Sequence, residues 1–370
     1  MEKVKRPNDQ MTPIERKKAI ESGQEFDRFP CIPFMGEFKC QFTGISFRDF
    51  WYDPEKMAKA EIAAFNRYGY DRIVIGPNTR GITEALGGRF VYPEKGLPYA
   101  DKPFLKQYEQ LEEMEPVRAE TDSRIQVFAD TAKRLEEAGK IVPMEMSIGG
   151  PFTIASQLRG VELLLRDTRK CSDSIMKLLR IVTDSQKSCI DMAARYGFGI
   201  AMADPVANPA LIGPKLYEKF VFPFTKELTD YALEKTGKKV SLHMCGTTYS
   251  IWKYLRQYEL NELSLDNIID LERAAKELGD AVPIAGNVDP VEIVMNGTKE
   301  EIYEGVKACI SVGKSAKKGY HLATGCDIPE TTLPQKIDWF MEAARECGNG
   351  RQGQKIHVMQ KMCGESGNGR

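Results

Sequence analysis

Histidine is scarce in this chain. Three occur in 370 residues: His243, His321 and His357. No apolar run approaches the roughly 18 residues of a membrane span, so no membrane segment is expected. The start, Met1-Glu-Lys-Val-Lys-Arg-Pro7, has no apolar stretch behind it, so no signal peptide is expected. No excess charge exists either: 52 basic against 53 acidic residues give a net −1. That balance supplies no field for nucleic acid or an anionic membrane. Cysteines number nine, an odd count without regular spacing. They read as reduced thiols of a cytoplasmic protein rather than a disulfide framework.

Apolar runs alternate with helix-like segments along the whole chain. Thr12-Pro13-Ile14-Glu15 is a helix start, and Asp53-Pro54 opens the next helix. The runs read as strands at Phe29–Glu37, Asp71–Gly76, Lys140–Ser147, Phe198–Asp204, Lys239–Cys245, Leu260–Asp266, Val282–Asn287 and Tyr320–Thr324. Eight strand–helix units predict a parallel (β/α)8 barrel, because eight strands close the sheet on itself. Residues 77–120, rich in Gly and Pro, are expected as an irregular excursion, and the segment before the first strand as a helical extension. The barrel should occupy residues 1–347 as one domain. The Gly-rich polar tail, 348–370, is expected to be disordered and carries no assigned role, His357 and Cys363 included.

In such a barrel chemistry gathers where strands end. His243 and Cys245 stand two positions apart at one strand end, so their side chains share a face. Cys326 ends another apolar run eighty-one residues later. Imidazole with soft thiolates is a zinc ligand set, and the three residues are expected to meet on one Zn2+. Asp266 closes the neighbouring strand, about 4.8 Å away, and is the candidate fourth ligand. A helix cap is its plainer role. Glu145 and Asp204, acids at strand ends, are candidate catalytic groups, with a helix-entry turn as the alternative for Asp204-Pro205. Gly150, Asn287 and Asp289 fall where the rim would meet a cofactor. Gly149-Gly150-Pro151 before a helix is also a weak phosphate signal. The other cysteines, such as Cys31 and Cys189, read as small packed hydrophobes.

These residues give the chain a resemblance to the uroporphyrinogen decarboxylase superfamily over about residues 11–347. The resemblance rests on Met11-Thr-Pro-Ile-Glu-Arg16, Gly150-Pro-Phe-Thr153, Asp204-Pro205, His243-Met-Cys-Gly246, Gly286-Asn-Val-Asp-Pro290 and Gly325-Cys-Asp-Ile-Pro329. Within it, the chain is similar to the zinc-dependent methylcorrinoid:thiol methyltransferases, the branch that acts on coenzyme M. His243, Cys245 and Cys326 match that branch's ligand pattern. Asp266 stands where the branch usually has Glu.

The resemblance implies methyl transfer from methyl-Co(III) of a partner corrinoid protein to a zinc-activated small thiol. One alternative is a substrate-side methyltransferase that loads methyl onto Co(I). Others are a decarboxylase and a non-catalytic corrinoid-binding barrel with a structural metal. The segment Pro33-Phe-Met-Gly-Glu-Phe-Lys39 has no Arg to pair with a polycarboxylate substrate, which weighs against the decarboxylase.

Overall fold

The computed structural model describes residues 2–93 and 96–348. The expected tail beyond Gly348 lies outside the described residues. Eight parallel strands form one curled sheet. In chain order they are β1 (Cys31–Ile32), β2 (Ile73–Ile75), β3 (Met144–Ser147), β4 (Gly199–Ala203), β5 (Val240–Met244), β6 (Leu260–Leu265), β7 (Ile284–Val288) and β8 (Tyr320–Thr324). Hydrogen bonding runs from β1 to β8 and then back in order to β2. At the seam between β1 and β2, Asp71 donates its N–H to the Cys31 carbonyl at 3.0 Å. Cys31 returns its own N–H to Asp71 Oδ2 at 2.7 Å. The arrangement is the (β/α)8 barrel the alternation predicted.

Proline sets several boundaries that periodicity alone misplaced. The first strand is two residues, not nine, because Pro30 and Pro33 flank it and cannot donate to a ladder. Beyond it the chain turns into a 3-10 helix, Gly36–Phe42, so Glu37 is not a strand end. The third strand likewise starts after Pro143 rather than at Lys140. The 77–120 excursion contains a helix, Asn78–Ala85, and a small hairpin of Phe90–Val91 with Tyr99–Ala100. The helical region after β4 is two helices, Pro209–Phe220 and Phe222–Thr236, with a break inside the first where Gly213 has φ +71° ahead of Pro214.

Strand side chains alternate, and the two faces differ in kind. Leu242, Met244, Leu263 and Leu265 are buried in the hydrophobic core. The opposite face of the same strands carries Ser241, His243, Glu262 and Ser264, which line the barrel cavity. Expected helix starts are present: Thr12 forms a capping box with Glu15, and Asp53 caps Pro54–Tyr68. The helix Pro13–Glu21 is tied to the barrel by Arg16, whose buried guanidinium pairs with Asp9, Asp27 and Asp71. Among the described residues no helix is long and apolar enough to cross a membrane.

Candidate metal centre

The end of β5 and the turn after β8 bring His243, Cys245 and Cys326 together. One donor atom from each lies within 4.8 Å of the others. His243 Nε2 faces Cys245 Sγ at 3.2 Å. Its other nitrogen, Nδ1, meets Ser264 Oγ at 3.0 Å. Ser264 is the ladder partner of His243 in β5·β6, so backbone register places the hydroxyl beside the ring. Phe34 packs against the imidazole with ring centroids 5.5 Å apart. The turn bearing Cys326 is fixed by Thr324, whose hydroxyl donates to the Cys326 carbonyl at 2.8 Å and accepts from Phe34 N–H at 3.1 Å.

These donors fit a tetrahedral ion. Bonds of about 2.3 Å to sulfur and 2.0–2.1 Å to nitrogen put neighbouring ligands about 3.5 Å apart. The three groups also titrate as a set. Cys326 is pulled down to about 4 by the Cys245 thiol, and by the His243 ring against the cost of burial. Cys245 is pushed up by Cys326 and burial. Burial opposes charge on His243, but the Cys326 contact outweighs it and raises the ring. One thiolate thus forms readily, as metal binding requires.

Asp266 stands differently from the expected fourth ligand. Its Oδ2 accepts the N–H of Gly246 at 2.6 Å and Oδ1 accepts that of Ile268 at 3.2 Å. It lies outside the group of mutually close donors. The loop after Cys245 is tight: Gly246 has φ +76°, and a Cβ there would meet Asn208 Nδ2 at 1.7 Å. Asp266 therefore holds the backbone beside a ligand in this geometry.

Glu145 is not at the rim. It sits at the start of β3, in a charged floor across the barrel. Arg72 Nε lies 3.1 Å from Glu145 Oε2, and Arg72 Nη2 lies 2.5 Å from Glu262 Oε1. Ser241 accepts from Arg72 at 2.8 Å and donates to Glu145 at 2.9 Å. His321 Nδ1 closes the network on Glu262 Oε2. Burial raises the Glu145 carboxyl, whereas Arg72 and His321 outweigh burial at Glu262 and hold it down at about 2. The floor neutralises itself, and Glu145 is a member of it rather than a free acid.

Asp204 is 1 % exposed, and its Oδ1 accepts from Thr153 N at 2.9 Å and from the Thr153 hydroxyl at 2.5 Å. It takes the place an anion would occupy at the start of the helix Pro151–Arg159. Gly150 is what admits it, since a Cβ at Gly150 would lie 2.1 Å from Asp204 Cγ. Hence the Gly149-Gly150-Pro151 signal marks a helix anchored by a side chain. Asn287 donates to the carbonyls of Asp266 at 3.0 Å and Ile269 at 2.8 Å. Asp289 caps the following turn and accepts from Asn267 at 2.7 Å. Both residues shape the loops after β6 and β7.

A cavity of about 290 Å³ descends from this centre toward the floor. Its wall includes residues the sequence reading did not single out: Lys39, Glu61, Tyr70, Arg72, Ser264 and Asp327. Glu262-Leu-Ser264-Leu-Asp266 carried a period-two signal for one inward polar face. Lys39, Glu61 and Tyr70 carried none, because they meet only through tertiary packing.

Barrel and centre together define a class: a parallel barrel with one imidazole and two thiols converging at the C-terminal ends of its strands. The chain belongs to the uroporphyrinogen decarboxylase (URO-D) family, which matches residues 12–347. It is 27% identical over 340 residues to methylcobamide:CoM methyltransferase MtbA of Methanosarcina acetivorans, covering 90% of this chain and 98% of that one. It is 24% identical over 345 residues to a methylated-thiol–coenzyme M methyltransferase of Methanosarcina mazei, covering 91% and 90%. A solved methyltransferase from Methanosarcina mazei superposes with a TM-score of 0.77 at 22% identity, covering 91% of this chain and 99% of that one, and confirms the fold.

Proposed function

We propose that this chain moves a methyl group from a methylcobamide on a partner corrinoid protein to the sulfur of a small thiol such as coenzyme M. The convergence of His243, Cys245 and Cys326 at the barrel mouth carries the reading. The named activities of the relatives MtbA and the methylated-thiol–coenzyme M methyltransferase agree with it. Those three residues would hold Zn2+. When bound, zinc would keep the acceptor sulfur as a thiolate at neutral pH, well below the free thiol's value of about 8.5.

The chain's own groups supply position and shielding. Ser264 aims Nε2 of His243 at the centre by engaging Nδ1. Phe34 covers the ring on one side. In the transfer the C–Co bond breaks and the S–CH3 bond forms. Cobalt keeps the bonding electron pair, and the thiol's proton leaves to solvent. Cys245 and Cys326 as two thiolate ligands would leave a bound ion electron-rich, which would suit a nucleophilic sulfur better than Lewis-acid activation of an ether.

The donor must approach from above the mouth. Exposed aliphatics stand on the segments after four strands: Leu211, Ile268, Val291 and Leu333, which are 42–63 % exposed. They support docking of the corrinoid partner on this face. The cavity of about 290 Å³ suits a small thiol. We take residues 1–347 as one catalytic domain located in the cytoplasm, its two ends joined by Arg345, which contacts Asp9 at 2.7 Å.

Anaerobic incubation of the zinc-loaded protein with methylcobalamin and thiols tests the proposal through the cobalamin spectrum. Thiol-dependent demethylation with a methyl thioether product supports it. Absence of demethylation with every thiol, in protein carrying one zinc per chain, overturns it.

A further inference from the structure

The two thiols come from strands that are not neighbours. Between β5, which leads to Cys245, and β8, which leads to Cys326, lie β6 and β7. Three strand spacings put the two ends about 14 Å apart along the sheet. Yet the sulfur donors of Cys245 and Cys326 lie within 4.8 Å of each other. Both loops therefore lean inward over the ends of β6 and β7.

The turn after β6 touches both of them. On one side Asp266 Oδ2 accepts the N–H of Gly246, the residue after Cys245, at 2.6 Å. Asp270 N–H also donates to the hydroxyl of Tyr249, in the segment that follows Cys245, at 2.8 Å. On the other side Asn267 packs main chain to main chain on Gly325, the residue before Cys326. A Cβ at Gly325 would lie 2.4 Å from Asn267 N and 2.7 Å from its Cα. The turn is braced in its own right from β7. Asn267 Nδ2 donates to Asp289 Oδ2 at 2.7 Å, and Asn287 Nδ2 donates to the carbonyls of Asp266 and Ile269.

Resting on the metal centre read above from His243, Cys245 and Cys326, we propose that Asp266 and Asn267 form a bracket that sets the separation of the two thiols. Asn267 and Asp289 are its positioning residues. The need for a bracket follows from the loops themselves. Glycine beside each cysteine admits the close approach but also leaves the backbone free to swing. A tetrahedral ion asks for one fixed spacing, and a spacing already present spares it the cost of ordering two loops. The Asn267 amide is spent on Asp289, so it acts on the ligands through the main chain alone.

The test exchanges the two partners. Asn267→Asp sets a second carboxylate against Asp289 and breaks the brace. Asp289→Asn in the same chain restores one amide against one carboxylate with the roles reversed. It keeps the Oδ1 that accepts from Val291 and Glu292. Zinc affinity, measured by chelator competition, should fall about tenfold in Asn267→Asp and return close to the wild-type value in the double variant. Asn267→Ala, which adds no charge, should fall by a similar factor. Asp289→Asn alone should cost little, because the Asn267 amide can turn its oxygen to the new donor. In the cobalt-substituted protein the thiolate-to-cobalt absorption should weaken in Asn267→Asp and Asn267→Ala and recover in the exchange. Unchanged zinc affinity in Asn267→Asp and Asn267→Ala, or a loss that the exchange leaves unrepaired, would overturn the bracket. Turnover enters none of these readouts. A bracket upheld in a protein that never demethylates methylcobalamin sinks the methyl-transfer reading alone, and demethylation with an unchanged Asn267→Asp centre sinks the bracket alone.

Discussion

Ser264 Oγ and His243 Nδ1 lie 3.0 Å apart across the β5·β6 ladder. With Nδ1 so engaged, Nε2 is the nitrogen left for a metal. Ser264→Ala should weaken zinc binding by 10- to 100-fold, as removal of such outer partners typically does. Ser264→Thr, which keeps the hydroxyl, should recover most of it. Chelator competition measures both, and the visible spectrum of the cobalt-substituted protein should shift only in the alanine variant. Identical affinities in all three would remove Ser264 from the centre.

Asp266 is tied to Gly246 rather than to the ligand group. Asp266→Asn keeps an oxygen for that N–H, so zinc content should stay near one per chain. Asp266→Ala loosens the loop and should cost about tenfold in zinc affinity. An Asn variant that loses zinc as fully as Cys326→Ala would place Asp266 on the metal.

Asp204 is buried without a cation, and burial pushes its carboxyl up to about 6. The folded state thus holds a proton that the unfolded chain has released. Its stabilising contribution is complete below the unfolded value near 4 and is lost as pH rises toward 6. Asp204→Asn keeps an acceptor for Thr153 and removes the buried charge. At pH 7.5 it should be more stable by roughly 1–3 kcal/mol, with a flatter urea-midpoint profile between pH 4 and 6. Transfer activity that collapses in a well-folded Asn variant would give Asp204 a catalytic role.

Arg72 balances Glu145 and Glu262 in the floor. Arg72→Met leaves both acids without their cation and should cost about 3–5 kcal/mol in urea unfolding. Adding Glu145→Gln should return part of that loss, because one stranded charge is gone. A strictly additive double variant would mean the two residues are not coupled.

The barrel was legible because strand–helix alternation repeats along the chain, and because each strand buries an aliphatic face that periodicity exposes. The ligands were legible because His243 and Cys245 sit two apart at a strand end. Boundaries at Pro30, Pro33 and Pro143 were missed because apolar content outweighed the lost donors in the reading. For Glu145 and Asp204 a sequence shows a carboxylate at a strand but not its partner. Arg72 lies 73 residues from Glu145, and Thr153 lies 51 from Asp204. Lys39, Glu61 and Tyr70 share no local pattern and meet only once the seam forms.

The most direct test of the central claim is X-ray absorption at the zinc edge, with and without the thiol acceptor. The protein alone should show two sulfur scatterers at about 2.3 Å beside nitrogen, falling to one in Cys326→Ala. Adding the thiol should bring a third sulfur to the wild-type centre. A zinc environment that is unchanged by saturating thiol, or that lacks sulfur altogether, would contradict it.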